Sequence, residues 1–197
     1  MKTIGLTGGI ASGKSTVAHI LKQHGLPVVS SDELAHHALE RGTPAYNAVL
    51  DKFGNGILNQ DDGQINRREL GRIVFNDAEA KASLEQILHP VVITEVKKLI
   101  HYYQSIGIKI LIIEVPLLFE VGIGGLFDAV WVVSCSPEIQ LQRVITRDLL
   151  TADEAEQRIG AQLSLADKEG KADLIIYNNK DMAVLTEQVL QAIKTME

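Results

Sequence analysis

Short apolar runs alternate along the chain with segments whose apolar residues recur at helical spacing. The run at residues 108–113 is almost wholly apolar, which is typical of a strand covered on both faces of a parallel sheet. Strands that alternate with helices favour an α/β fold with helices on both faces of the sheet. The pattern predicts five strands, at residues 2–7, 26–30, 109–115, 129–135 and 173–177.

The connection between the second and third predicted strands is much longer than an ordinary strand–helix connection. Its pattern is mostly helical and includes a long helical stretch at about residues 77–104. His89 and Pro90 are expected to interrupt this helix, because proline cannot donate the intrahelical N–H bond. We therefore predict a helical, substrate-binding insertion at residues 32–106.

Helical segments also follow the fourth predicted strand. Pro137 begins a helix that runs to about Asp148, and Thr151 with Glu154 forms a capping box that begins another helix. We expect residues 137–171 to form a helical lid. The remaining segments would then form a nucleotide-binding core: residues 1–31, 107–136 and 172–197.

Residues 8–15 read G-G-I-A-S-G-K-S, a complete phosphate-binding loop (G-x-x-x-x-G-K-S) between a predicted strand and a predicted helix. Glycine at positions 8 and 13 lets the backbone approach phosphates. Lys14 would bring positive charge to the β- and γ-phosphates, and the Ser15 hydroxyl would reach Mg²⁺. The alternative is a Gly-rich turn whose lysine is merely solvated. The predicted nucleotide contacts of the loop are Gly8, Ala11, Ser12, Gly13, Lys14, Ser15 and Thr16.

Composition narrows the class of partner. The chain of 197 residues is 46% hydrophobic, as expected of a globular protein, and its net charge of −6 argues against nucleic acid as the main partner. The sequence shows neither a signal peptide nor an apolar stretch long enough to span a membrane. Its single cysteine, Cys135, permits no disulfide within the chain and fits a small buried apolar residue. We therefore expect a cytoplasmic protein that binds no membrane.

Charged side chains after the second strand and on the expected lid are candidates for catalysis. Asp32 could accept a proton from an attacking hydroxyl group, or it could cap the helix that follows. Arg143 and Arg147 lie four residues apart on one predicted helix face, with Gln140 one turn earlier. The two arginines would clamp phosphate oxygens, or they would form a solvated face paired with carboxylates such as Asp148.

Further candidates are a strand-end carboxylate, a histidine in the long helix and an amide after the last strand. Glu114 ends the third strand, where it would organise Mg²⁺ through water or have a structural role. His89 would bind substrate or cap the interrupted helix. Asn178 follows the last strand and would contact adenine or form a turn.

The chain lacks two motifs of guanine-specific GTPases. Residues 179–182 read N-K-D-M, with methionine where the Asn-Lys-x-Asp motif requires aspartate. The third strand ends in E-V-P-L, which lacks the Asp-x-x-Gly switch sequence. A phosphate loop with a helical insertion and an arginine-bearing lid fits a small-molecule kinase, which closes over its substrates to exclude water. A nucleotide-binding regulatory protein without turnover is the alternative from another class.

Taken together, these motifs resemble the dephospho-CoA kinase family over essentially the whole chain. The P-L-L-F-E segment and the His-Pro pair separate this family from adenylate and shikimate kinases. The matching segments are residues 4–16, Asp32, Leu88-His89-Pro90, V-P-L-L-F-E at 115–120, Gln140-x-x-Arg143-x-x-x-Arg147, and Ala172-Asp173 leading to Asn178.

The resemblance implies an ATP-dependent kinase with a three-layer core like that of nucleoside monophosphate kinases. Its reaction would phosphorylate the ribose 3′-hydroxyl of dephospho-CoA, with Mg²⁺ accompanying ATP. Residues 11–16 would bind the ATP phosphates, Asp32 would orient or deprotonate the 3′-hydroxyl, and Arg143 and Arg147 would close with the lid. The expected substrate contacts are Asp32, His89 and Leu117.

The chain departs from the family pattern in four places. Ala11 stands where glycine is more usual, which is tolerable if its backbone angle is ordinary. Of the two aspartates often found after the second strand, only Asp32 remains, in S-S-D. The other departures are Glu114 in place of aspartate, and Tyr177 with Lys180 around Asn178.

Overall fold

The structure, a computed structural model, describes residues 1–196. The chain divides into two compact units, one formed by Met1–Ser30 with the chain from Ile100 onward, and the other by Ser31–Leu99. The expected lid, residues 137–171, belongs to the first of these units. A separate lid therefore stays a prediction.

A single parallel sheet forms the centre of the first unit. Its strands are β1 (Lys2–Gly8), β2 (Val28–Ser30), β3 (Ile110–Glu114), β4 (Ala129–Ser134) and β5 (Leu174–Tyr177). Their spatial order is β2-β3-β1-β4-β5, and every neighbouring pair is parallel. The predicted α/β fold with five parallel strands is confirmed. Because β1 is the central strand, the phosphate loop that follows it lies at the middle of the carboxyl edge, where such sheets bind ligands.

Ten α-helices are described within residues 1–196, and none of them is long and apolar enough to cross a membrane. The helices are α1 (Lys14–Gln23), α2 (Ser31–Ala38), α3 (Pro44–Phe53), α4 (Arg67–Asn76), α5 (Ala78–Ser105), α6 (Leu118–Val121), α7 (Pro137–Asp148), α8 (Ala152–Gly160), α9 (Leu165–Glu169) and α10 (Met182–Lys194). The capping box predicted at Thr151 and Glu154 is present at the start of α8.

Helices cover both faces of the sheet. On one face, buried residues of α1 and α10 such as Val17 and Leu185 pack with strand residues such as Leu6 and Trp131. On the opposite face, α6 lies so close to β1 that a Cβ atom at Gly5 would lie 2.6 Å from Leu118 Cδ1. Glycine in the middle of β1 therefore makes room for the helical layer on that face.

The second unit has a small hydrophobic core of its own. Its chain passes through α2, α3, a single turn of 3₁₀ helix at Asn55–Ile57, α4 and most of α5. The buried residues of this core are Leu39, Tyr46, Val49, Ile57, Ile65 and Leu70. The N-terminal part of α5 adds the half-buried Leu84, Ile87 and Leu88 to it.

The expected interruption at His89 and Pro90 is wrong. Helix α5 is 28 residues long and continues through Pro90 to Ser105. Proline removes one N–H donor, and the packed apolar face of so long a helix outweighs that loss. His89 therefore lies inside a helix, and its alternative role as the cap of a broken helix is excluded.

Candidate active site

The phosphate loop turns sharply into α1 at Gly13. Gly13 is the N-cap of α1 and has a φ of +100°, in the left-handed region that favours glycine. The amide nitrogen of Asn178 occupies the space that a Cβ atom at Gly13 would need. Since Gly13 offers no capping side chain and the first turn of α1 has no acidic residue, that turn is suited to bind an anion.

Ala11 adopts a left-handed backbone conformation, with a φ of +57°. The condition under which alanine would be tolerable here, an ordinary backbone angle, is therefore not met. For a residue with a Cβ atom this conformation is strained, and such strain persists only where the surroundings fix the backbone. The hydrogen bonds to the preceding residue show what fixes it.

Two glutamine side chains hold the peptide groups of Ile10. Gln140 of α7 donates from Nε2 to the carbonyl of Ile10 at 2.9 Å, and Gln162 accepts the N–H of Ile10 on Oε1 at 3.0 Å. Gln140 is buried, and its Nε2 lies 2.6 Å from the position of a Cβ atom at Gly9. The loop is thus held from outside at Ile10, immediately before the strained Ala11. Sequence reasoning had paired Gln140 with the arginines and had missed Gln162.

Polar groups of the loop differ in their accessibility. Lys14 Nζ donates to the carbonyls of Gly8 and Gly9, at 3.1 and 3.0 Å, which keeps its positive charge beside the loop. The Ser15 side chain belongs to an exposed residue and is available to solvent or a ligand. Ser12 is fully buried, and within the described residues its Oγ has no hydrogen-bond partner.

Asn178 connects the last strand with the phosphate loop and α7. Its side chain donates from Nδ2 to the carbonyl of Ser12 at 2.9 Å, and its own carbonyl accepts Nη2 of Arg143 at 3.1 Å. Asn178 is 8% exposed. Its predicted contact with adenine stays a prediction, while its observed contacts support the loop.

Arg143 and Arg147 have different environments. Arg143 points to the sheet edge, and its Nη1 is buried without a hydrogen-bond partner among residues 1–196. It also lies beside Cys135, where burial raises the pKa of the thiol and the arginine charge opposes that rise. Arg147 is 55% exposed and binds Asp148 through Nε and Nη2, at 2.8 and 2.9 Å. The predicted alternative of a solvated arginine paired with a carboxylate therefore applies to Arg147 but not to Arg143.

Asp148 is the centre of a small ion-pair group, because Arg158 of α8 donates to it as well, at 2.6 Å. The hydrogen bonds from Arg147, with those from Arg158, lower the pKa of Asp148 from 3.8 to about 2. A carboxyl group with a lowered pKa in the folded state stabilises the fold only while it is ionised. The α7–α8 corner should therefore be sensitive to acid.

We expect Asp148→Asn to lower the free energy of unfolding at neutral pH by up to about 1 kcal/mol, as measured by denaturant unfolding. This stabilisation is fully present above the ordinary pKa of 3.8 and is lost as the pH falls towards about 2. The difference between wild type and variant should therefore shrink over that range. Asp153→Asn, at an exposed carboxylate in the first turn of α8, is the control. If the free energies of unfolding of wild type and Asp148→Asn differed by the same amount at every pH, the lowered pKa of Asp148 would not be the source of the stabilisation.

The carboxyl end of β3 carries the other strand-end candidates. Glu114 lies in register with Leu6 of β1 and Ser30 of β2, one strand away from the phosphate loop. Leu117 is half-buried and precedes α6. Within residues 1–196 no three His, Cys, Asp or Glu side chains form a group that could hold a metal ion.

Asp32 and His89 belong to the second unit. Strand β2 ends at Ser30, and α2 begins at Ser31, so Asp32 is the second residue of a helix. It is therefore not the N-cap of α2, which was one of its two predicted roles. Its side chain is exposed in the first helical turn, while His89 is half-buried on α5. Their roles in substrate binding stay predictions.

The fold and the loop first define a class. A phosphate loop that leads from the central strand of a parallel sheet into a helix is the arrangement of P-loop nucleotide-binding proteins. The solved structure of shikimate kinase from Acinetobacter baumannii has the same fold, with a TM-score of 0.54 at 19% identity over 99% of this chain and 94% of the other.

The comparison of sequences then identifies the family. The dephospho-CoA kinase family profile matches residues 2–183. Dephospho-CoA kinase from Carboxydothermus hydrogenoformans is 44% identical over 97% of this chain and 92% of its own length. The solved dephospho-CoA kinase from Campylobacter jejuni is 30% identical, with a TM-score of 0.76 over 98% of this chain and 96% of the other. This chain belongs to the dephospho-CoA kinase family and is an ATP-dependent kinase.

Proposed function

We propose that this protein transfers the γ-phosphoryl group of ATP to the ribose 3′-hydroxyl of dephospho-CoA, forming coenzyme A and ADP. The observation that carries this proposal is the family match over residues 2–183, which includes the phosphate loop after β1. Transfer is direct: the bond from phosphorus to the 3′-oxygen forms as the bond to the β-phosphate oxygen breaks. The protein contributes mainly positioning and electrostatic stabilisation.

The phosphate loop binds the nucleotide. N–H groups at the start of α1 point to the β-phosphate, and Lys14 neutralises charge on the β- and γ-phosphates. The hydrogen bonds to Ile10 and Ser12 support this role, because side chains from outside the loop fix its backbone. A loop shaped in advance spends little binding energy on ordering itself.

Arg143 is the better placed of the two arginines to bind a phosphate oxygen. Its buried Nη1 is a charged donor without a partner among residues 1–196, and such a donor is costly unless a ligand satisfies it. Arg147 would have to leave Asp148 to reach a phosphate. We infer that Asp32 orients the 3′-hydroxyl and accepts its proton, and that His89 and Leu117 contact the CoA precursor.

Two side chains, those of Ser15 and Glu114, carry the kinds of oxygen atom that Mg²⁺ prefers as ligands. Mg²⁺ takes few protein ligands, usually a hydroxyl or carboxylate oxygen, and completes its shell with phosphate oxygens and water. The exposed Ser15 hydroxyl and the Glu114 carboxylate at the end of β3 fit that description, with Glu114 acting through water. When bound, the ion neutralises charge on the β- and γ-phosphates. The cytoplasmic setting expected from the sequence belongs to this proposal as well.

An acceptor screen tests the function directly. We expect ADP release from Mg-ATP to be stimulated by dephospho-CoA, and not by adenosine, AMP or shikimate, in a coupled assay. The product should carry its new phosphate on the ribose 3′-oxygen by ³¹P NMR. Stimulation by one of the other acceptors alone would leave the fold assignment intact but would overturn the substrate.

A further inference from the structure

Lys168 of α9 is an unusual lysine. Lys168 alone is fully buried among the charged side chains described in residues 1–196, with an exposure of 0%. An ammonium group is expensive to remove from water unless an opposite charge and hydrogen-bond acceptors replace the water. Nothing in the proposed reaction uses this residue, so its burial requires another explanation.

The two acceptors of Lys168 are Pro116, which lies between β3 and α6, and Glu120, which lies within α6. Its Nζ lies 2.8 Å from Glu120 Oε1 and donates to the carbonyl of Pro116 at 3.3 Å. The carbonyl of Pro116 also accepts the hydroxyl of Thr7, the residue before the phosphate loop. Burial would raise the pKa of Glu120, but the hydrogen bond from Lys168 helps to lower it, so this carboxylate is ionised at neutral pH. One buried charge thus joins α9 to Pro116 and Glu120, at the two ends of the segment that contains Leu117.

The chain just before Lys168 holds the phosphate loop. Gln162 accepts the N–H of Ile10, and the side chain of Leu165 lies 3.1 Å from the position of a Cβ atom at Gly9. The N–H of Leu163 donates to Glu120 at 3.1 Å. Residues 162–168, which we name the clasp, therefore contact both the phosphate loop and residues 116–120.

We propose that Lys168 is a positioning residue of the kinase reaction. Through its contacts with Glu120 and Pro116 it fixes residues 116–120, which include the proposed acceptor contact Leu117. Because the clasp also contacts the phosphate loop, residues 116–120 are fixed relative to that loop. This inference rests on the proposed function for the identity of the acceptor. An ion pair suits the task because its charge-assisted hydrogen bond is directional and fixes Lys168 and Glu120 relative to each other.

The test compares three variants. Lys168→Met should lower kcat about 10²-fold, because a displacement of about 1 Å near the reacting groups has an effect of that size. Its KM for ATP should be unchanged, because Gln140 and Gln162 still hold Ile10. The double variant Lys168→Met/Glu120→Gln removes the unpaired carboxylate and keeps an acceptor for Leu163 N–H, so its thermal unfolding midpoint should recover while its kcat stays low. Lys109→Met, at an exposed lysine just before β3, makes the same charge change and should leave kcat unchanged.

The outcomes separate positioning from simple stability. Recovery of both the unfolding midpoint and kcat in the double variant would show that Lys168 only stabilises the fold and would overturn the proposal. An equal rise of KM for ATP and for dephospho-CoA would overturn it too. A readout that does not depend on the acceptor is amide hydrogen exchange at residues 121–123, whose N–H groups donate to the carbonyls of residues 117–119. Exchange there should be about tenfold faster in Lys168→Met. Unchanged exchange would contradict the clasp, whereas wild-type inactivity with dephospho-CoA would contradict only the proposed function.

Discussion

Replacing Lys14 with alanine is expected to lower kcat/KM for ATP by about 10²–10³-fold, the usual effect of removing one charge-stabilising donor from an active site. The ammonium group already lies beside the loop, bonded to the carbonyls of Gly8 and Gly9, so it is in place when the triphosphate arrives. The alanine variant lacks the positive charge that would stabilise both the bound nucleotide and the transition state. Both KM for ATP and kcat should therefore deteriorate, as measured by initial-rate kinetics with saturating dephospho-CoA.

Lys22 provides a matched control, because it is an exposed lysine at the opposite end of the same helix, α1. Lys22→Ala makes the same change of charge and helix propensity without approaching the loop. Circular dichroism should show that both variants are folded. Kinetics for Lys14→Ala that match those of Lys22→Ala would mean that the loop does not bind the triphosphate through Lys14.

The sheet and the loop could be predicted because their signals are local. A buried parallel strand requires a run of apolar residues, and the run at 108–113 produces β3. The phosphate loop is a contiguous motif whose strand and helix are its immediate neighbours in sequence. Helix starts at Pro137 and Thr151 followed from capping chemistry, which also depends only on adjacent residues.

The contacts that hold the loop could not be predicted, because they join residues far apart in sequence. Gln162 contacts Ile10 across 152 positions, and Asn178 contacts Ser12 across 166. Neither glutamine nor asparagine carries a local signal of such a bond. The burial of Lys168 was hidden for a related reason, since a lysine next to other charged residues normally predicts an exposed helix face.

Two errors came from rules about single residues that the surroundings override. Proline at position 90 was expected to interrupt a long helix, but this packed helix tolerates the loss of one N–H bond. Alanine at position 11 was expected to need an ordinary backbone angle, yet it has a φ of +57° between the tightly held Ile10 and the buried Ser12. In both places tertiary contacts compensate for an unfavourable local choice.

Asp32→Ala is expected to leave the affinity for ATP unchanged and to lower kcat about 10²–10⁴-fold, the contribution typical of a general base. In the proposed reaction this carboxylate orients the 3′-hydroxyl and takes its proton, and it makes no contact with the triphosphate. Its exposed position in the first turn of α2 leaves it accessible to an acceptor. Equilibrium binding of ATP, measured by calorimetry, and single-turnover kinetics with dephospho-CoA would separate the two effects.

Glu33 makes this experiment decisive, because it is the next residue, is also exposed, and lies in the same first turn of α2. Both carboxylates interact favourably with the helix dipole, an effect of about 0.3–1 kcal/mol on stability that Glu33→Ala would share with Asp32→Ala. If Asp32 acted only through the helix, the two variants would show the same small loss of stability and the same kcat. Catalysis by Asp32 requires that kcat fall in one variant alone, while the unfolding midpoints of the two variants fall together.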